Sequence, residues 1–139
     1  MIQRRQTIWL LLAAVAAFLS LKFGFFSGNV LAADQTKKFE ELTATQHPIL
    51  LVGSIGIGVA SFIAVFLYGN RKLQLRISLI SMLVSLVNLM VYYWQASKFI
   101  EGKYAFTALL SLAIPLFLVL AAVGINKDEK LVKSLDRLR

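Results

Sequence analysis

ISLISMLVSLVNLMVYYWQ, residues 77–95, decides the fold. It carries no formal charge, and as a helix rising about 1.5 Å per residue it reaches nearly the 30 Å or so of a bilayer core. At 100° per residue, Ser78, Ser81, Ser85, Asn88, Tyr92 and Gln95 fall on one side, and Leu79, Leu83, Leu86 and Met90 fall opposite. A soluble helix would turn its polar side to water. One surrounded by hydrocarbon must turn it inward, because an amide facing lipid loses hydrogen bonds worth several kcal/mol. Asn88 is therefore predicted to face protein. Its expected role is a polar link between helices, and the functional alternative is the lining of a ligand site or pathway.

Three further stretches of similar length flank this one, at 7–26, 49–68 and 104–124, and none of the four contains Asp, Glu or His. The expected fold is all-α: an integral membrane bundle of four transmembrane helices forming two antiparallel hairpins. It fills 1–139 as a single domain, with an outer loop at 27–48 and a tail at 125–139. Hydrophobic residues make up 58% of the chain and the mean hydropathy is +0.73. Helices apolar on nearly every side leave no water-facing surface for a soluble fold. In lipid, small residues mark where helices approach. They form stripes at Ala13, Ala16, Ala17, Ser20 and Gly24, at Gly53, Gly56, Ala60 and Ala64 with Ser61 beside them, and at Ala108, Ser111, Pro115 and Ala122. Pro115 removes a helix N–H, so a kink is expected there. These faces would hold the bundle, a protein partner or a second copy of the chain.

The net charge of +8 sits in the segments flanking the spans. With the N-terminus inside, the cytoplasmic side holds Arg4, Arg5, Arg71, Lys72, Arg76, Lys127, Lys130, Lys133, Arg137 and Arg139. The other side holds Lys22, Lys37, Lys38, Lys98 and Lys103. That imbalance of Lys and Arg predicts both termini in the cytoplasm. Trp9 and Tyr68 on the inner side, and Tyr92, Tyr93, Trp94 and Tyr104 on the outer, suit the interfaces. Basic ends next to a bilayer favour anionic lipid over nucleic acid, for which there is no basic domain. A basic start, an apolar run and Val30-Leu31-Ala32 also resemble a signal-peptidase site, but the apolar run is long for a signal, and retention of the segment is expected. In the outer loop, Lys37 to Leu42 is read as a short interfacial helix.

Several chemistries lack their residues. The chain has no cysteine, which excludes disulfides, thiol redox chemistry and Cys-ligated metals. His47 is the sole histidine and has no evident partner ligands. Gly53, Gly56 and Gly58 lack the spacing and the preceding strand of a dinucleotide loop, so close helix packing is the reading. The serines have no base at depth to activate them. Proton coupling normally needs an acid within the membrane, and Lys22, near a span end, is read as a snorkelling anchor. No catalytic residue, cofactor or metal is expected. In the tail, Leu131, Leu135 and Leu138 recur at helical spacing beside Lys127, Lys130, Lys133 and Arg137. Either a short amphipathic helix meets the inner leaflet or a cytoplasmic partner, or the fourth span simply extends into solvent.

The ends carry a specific pattern. Met1-Ile2-Gln3-Arg4-Arg5-Gln6-Thr7, followed by Trp9 and a leucine run, resembles the MIQR-x-QT opening of a Bacteroidetes membrane family known only as domain of unknown function 4293. The close from Lys127-Asp128-Glu129 to Asp136-Arg137-Leu138-Arg139 is similar to its KDE-x-LV-x-S-x-DRLR ending. The resemblance implies a bacterial inner-membrane protein of four helices with no assigned activity, and brings no catalytic residues with it. The expected function is that of a non-enzymatic structural or accessory subunit of a membrane assembly. The alternative is a carrier or pore for a small neutral or lipid-like molecule, lined by Ser81, Ser85 and Asn88.

Overall fold

The computed structural model describes residues 5–139. Its four long helices are α1 (Arg5–Lys22), α2 (Pro48–Phe66), α3 (Arg71–Ala96) and α4 (Ala108–Arg137), and all four are long and apolar enough to cross a membrane. Each packs on two neighbours, α1 on α2 and α4, α3 on α2 and α4, so the bundle is a ring in chain order. The reason is visible in the buried positions. Along the seam they include Gln6, Leu10, Ala13, Ala17 and Ser20 on α1, with Ala14 and Ala16 buried beside them, and Leu50, Ser54, Ile57, Ser61 and Ala64 on α2, with Gly58 beside them. On α3 the seam holds Gln74, Ser78, Ser81, Ser85, Asn88, Tyr92 and Gln95, with Ala96 buried next to it, and on α4 Ala108, Ser111, Pro115, Leu118, Ala122 and Ile125, flanked by buried Ile114 and Ala121. Each seam steps by alternate fours and threes, an average of 3.5 residues per turn, and the other buried residues sit directly beside it. That period keeps one seam of each helix on the bundle axis and implies a left-handed supercoil. The outward positions are large and apolar, among them Val52, Phe66, Leu83, Met90 and Leu116. Such an exterior belongs in hydrocarbon.

The all-α expectation needs a correction. A three-stranded antiparallel sheet caps one end of the bundle, with strands β1 (Phe26–Leu31), β2 (Lys37–Leu42) and β3 (Glu101–Tyr104) in the order β2-β1-β3. Phe26 pairs with Leu42 on one side and Tyr104 on the other. Lys37 to Leu42 is thus a strand, not a short helix, because β1 presents a full row of backbone partners to it. Gln35 makes the intervening turn with φ 59°. β1 and β3 approach closely at the cross-strand pair Gly28 and Gly102. A Cβ on Gly28 would come within 2.6 Å of the Gly102 Cα, so this crossing requires glycine. β1 is the central strand, so a chain cleaved after Ala32 would lose both it and α1.

Helix boundaries shift accordingly. α1 ends at Lys22, so Gly24 lies beyond it rather than in its small-residue stripe, and 23–26 turn into the sheet. α4 begins only at Ala108 and runs unbroken to Arg137. No separate short amphipathic helix follows it. The tail is the same helix continued, since neither Gly124 nor anything after it supplies a stop.

Candidate functional site

The inward face of α3 is polar over its whole length. Ser78, Ser81, Ser85 and Asn88 are all buried, each at most 6% exposed. The serines turn largely to their own backbone: Ser78 Oγ donates to the Gln74 carbonyl at 2.9 Å and Ser85 Oγ to Met82 at 2.7 Å. Asn88 instead crosses to α2, its Nδ2 donating to Ser54 Oγ at 3.4 Å. It does so by lying directly over Gly53, where a Cβ would sit 2.8 Å from the Asn88 Cγ. One turn on, the Tyr92 hydroxyl meets those of Ser54, Ser20 and Ser111, and its ring stacks on Phe25 at 4.5 Å between centroids. All four helices therefore contribute to one polar layer. Ser20, Ser54, Ser85, Asn88, Tyr92 and Ser111 border a small cavity, with Ile57, Leu89 and Ile114, of about 10 Å³ as measured by a water-sized sphere. That is room for about one water molecule.

A second polar layer lies about 21 Å away along the axis, fourteen residues back on both α1 and α3. Gln6 and Gln74 are fully buried there, and Gln74 Nε2 donates to the Ala64 carbonyl at 2.8 Å. Among the described residues Gln6 Nε2 and Gln74 Oε1 have no partner, nor does Ser61 Oγ on α2, about midway between the layers. Both glutamines escaped the sequence reading because they lie outside the stretches taken as spans. The four-three spacing carried one step back from Ser78 lands on Gln74, which is the signal that would have found it. Between the layers Leu10, Ala13, Ala17, Ile57, Ile114 and Leu118 fill the axis, beside the inward hydroxyls of Ser61, Ser78 and Ser81.

The glycine stripe of α2 divides. Gly53 is the contact under Asn88, and Ala60 is half-buried. Gly56 faces outward with nothing within 4 Å of a Cβ built on it, so it is no packing position, and Gly58, against Phe18, makes the second close approach. The remaining small residues of α1 and α4 meet inside the chain, where Ala13, Ala16, Ala17, Ala108 and Ala122 are all buried.

At the end opposite the sheet, Arg5, Lys127, Lys130, Lys133, Arg137 and Arg139 are exposed, and Arg4 lies outside the described residues. Arg71 Nη1 donates to the Asp128 carbonyl at 3.4 Å, tying the α2–α3 turn to the emerging α4. Glu129 pairs with Lys133 at 2.8 Å, and that hydrogen bond holds its carboxyl below the ordinary range. Beyond it, Leu131, Leu135 and Leu138 are more than half exposed. His47, set aside in the sequence, lines a groove at the sheet end of the bundle.

The chain belongs to the family described as Domain of unknown function (DUF4293), whose family model matches residues 2–138. No curated protein matches it, and no solved structure matches it.

Proposed function

We propose that this is a non-enzymatic, multi-pass protein of a bacterial inner membrane that serves as a structural or accessory subunit of a larger membrane assembly. Both termini lie in the cytoplasm in this reading. The observation that carries it is the filled bundle axis. The polar residues that would line a carrier or pore surround space for about one water, and Leu10, Ile57 and Leu118 close the axis below it. A conduit needs room for its cargo along the axis, so in this reading Asn88 links α3 to α2, while the small Ser81 and Ser85 let the helices approach. Cytoplasmic termini are inferred from the partition of Lys and Arg: among the described residues, nine lie at the end away from the sheet and five at the sheet end.

With the small-residue faces used inside the chain, contact with another protein or copy falls to other surfaces. The projecting end of α4 offers leucines on one side and Lys127, Lys130, Lys133 and Arg137 beside them. Running on from the fourth span, it leaves the membrane rather than lying on the leaflet, which favours a protein partner there; anionic headgroups remain in reach of Arg5 and Lys127. Gentle extraction and mass spectrometry, on the full chain and on one ending at Lys130, test the proposal. The full chain is expected to carry a stoichiometric partner that the shortened one loses. A full chain that stays solitary in every mild detergent overturns it.

A further inference from the structure

A groove of about 490 Å³ opens at the sheet end, between β1, β2, the turn that precedes α2 and the end of α3. Glu40 and Lys98 both line it, as do Gln46, His47, Gln95 and Phe99. Among the described residues Glu40 has no ion-pair partner, and Lys98 is held over the Trp94 ring at 4.4 Å rather than by a carboxylate. His47 Nδ1 is buried without a hydrogen-bond partner. Gln95, also in the lining, is more than nine-tenths buried. One wall thus offers an unpaired carboxylate, another an ammonium with no carboxylate on it, and between them lie the Gln46 and Gln95 amides and an imidazole with a hydrogen bond still to make. Unmatched opposite charges in one concavity select a ligand that carries both signs.

The site's height narrows the chemistry. Tyr93 and Trp94 are exposed on the last turn of α3, as side chains are where hydrocarbon gives way to headgroups. Below them α2 and α3 present exposed Val52, Ile55, Val87 and Met90, a surface that acyl chains can cover. A quaternary ammonium would call for an aromatic cage, and Phe99 is the single aromatic in the lining. A primary ammonium has three N–H donors, which suit the Glu40 carboxylate and the side-chain carbonyls of Gln46 and Gln95. A phosphate suits Lys98 with the imidazole and amide donors.

We infer that this groove binds a phosphoethanolamine headgroup, its ammonium on Glu40 and its phosphate on Lys98. The sources to separate are a membrane lipid and the same headgroup free in solution. The test uses the full chain in nanodiscs of phosphatidylcholine, doped with phosphatidylethanolamine or phosphatidylglycerol, and read by native mass spectrometry for retained lipid. One phosphatidylethanolamine per chain is expected to be retained at least tenfold over either other lipid. Glu40→Gln and Lys98→Met should each abolish that preference, whereas Glu101→Gln, on the far side of the sheet, should keep it. Displacement of the lipid by millimolar glycerophosphoethanolamine supports the site and shows that the headgroup alone suffices. No displacement supports it and shows that the acyl chains contribute. Equal retention of the three lipids, or an unchanged preference in both groove variants, overturns the assignment.

Discussion

Gly53→Ala isolates the contact on which the register of α2 against α3 depends. The new methyl would lie 2.7 Å from Asn88 Nδ2 and 2.8 Å from its Cγ, against 3.4–4 Å for ordinary contact. Asn88 must rotate away, and its bond to Ser54 Oγ is lost. Bonds of this kind inside membranes are worth about 0.6 kcal/mol on average and about 1.7 at most. Forcing a methyl into a packed site costs about 1–3 kcal/mol, while alanine's better helix propensity returns about 0.5–1. The net expectation is a loss of about 1–3 kcal/mol. Asn88→Ala should cost about 1 kcal/mol alone, yet it opens the space that the added methyl needs. The double variant should therefore be at least about 1 kcal/mol more stable than the sum of the single effects predicts. Reversible unfolding in mixed micelles of mild detergent and dodecyl sulfate measures all four corners of the cycle. Gly56→Ala is the control: with nothing within 4 Å, it should be neutral or stabilising by up to about 1 kcal/mol. Additive effects of Gly53→Ala and Asn88→Ala would refute the contact, as would a Gly53→Ala chain as stable as Gly56→Ala.

Gly28→Val should unseat β3 and expose Phe25 and Phe26, lowering stability by about 2–4 kcal/mol; amide exchange of residues 101–104 close to that of free peptide, against slow exchange in the parent, would show it, and unchanged protection would contradict it. Lys37 Nζ donates to Glu101 Oε1 at 3.1 Å, and this hydrogen bond, with the accompanying charge, lowers the Glu101 pKa. A folded-state pKa below the unfolded one means that the contact contributes above the unfolded value and is lost as pH falls through the folded one. Lys37→Met should therefore raise the Glu101 midpoint in a carbon-detected titration, and an unmoved midpoint would count against the pair. A chain ending at Lys130 should unfold within about 0.5 kcal/mol of the full chain, because every residue it lacks is exposed; a larger loss would mean that the end of α4 braces the bundle.

How much of this was legible depends on which forces act locally. The α3 stripe could be read because rotation about a helix axis in lipid is fixed by polarity alone, and Ser78, Ser81, Ser85, Asn88, Tyr92 and Gln95 are all buried. The sheet could not. β2 is exposed at Lys37, Lys38, Phe39, Glu40 and Glu41, so its sequence lacks the alternation that marks a half-buried strand. Its conformation is set by backbone bonds to β1, and β3 joins from some seventy residues further along the chain. Phe23, Phe25 and Phe26 extend the apolar run of α1 and by hydropathy alone predict helix, whereas Phe25 and Phe26 cover the end of the bundle beside Leu42 and Ala44. His47 gave no sequence signal, since the groups that make its groove come from β1, β2 and α3 as well as its own loop.

Rotation and register are fixed by different residues, and the distinction can be tested. Turning α3 by 100° would carry every inward serine and Asn88 into hydrocarbon, at several kcal/mol for the amide alone. Sliding it by seven residues, about 10 Å, would still bury serine, because the small polar residues repeat along the seam. What the slide would break is specific: Asn88 would leave Gly53 and Tyr92 would leave Phe25. The serines thus set which face of α3 points inward, and the large groups set its height. Exchanging Ser85 and Asn88, in the double variant Ser85→Asn with Asn88→Ser, conserves composition, hydropathy and rotation while moving the amide up the seam, away from Gly53. If height depends on the Asn88–Gly53 contact, this variant should lose about as much stability as Asn88→Ala, and Gly53→Ala should no longer destabilise it. If the seam needs only an amide somewhere along it, the exchange will be silent, and the register must be assigned to the sheet and to Tyr92 on Phe25 instead.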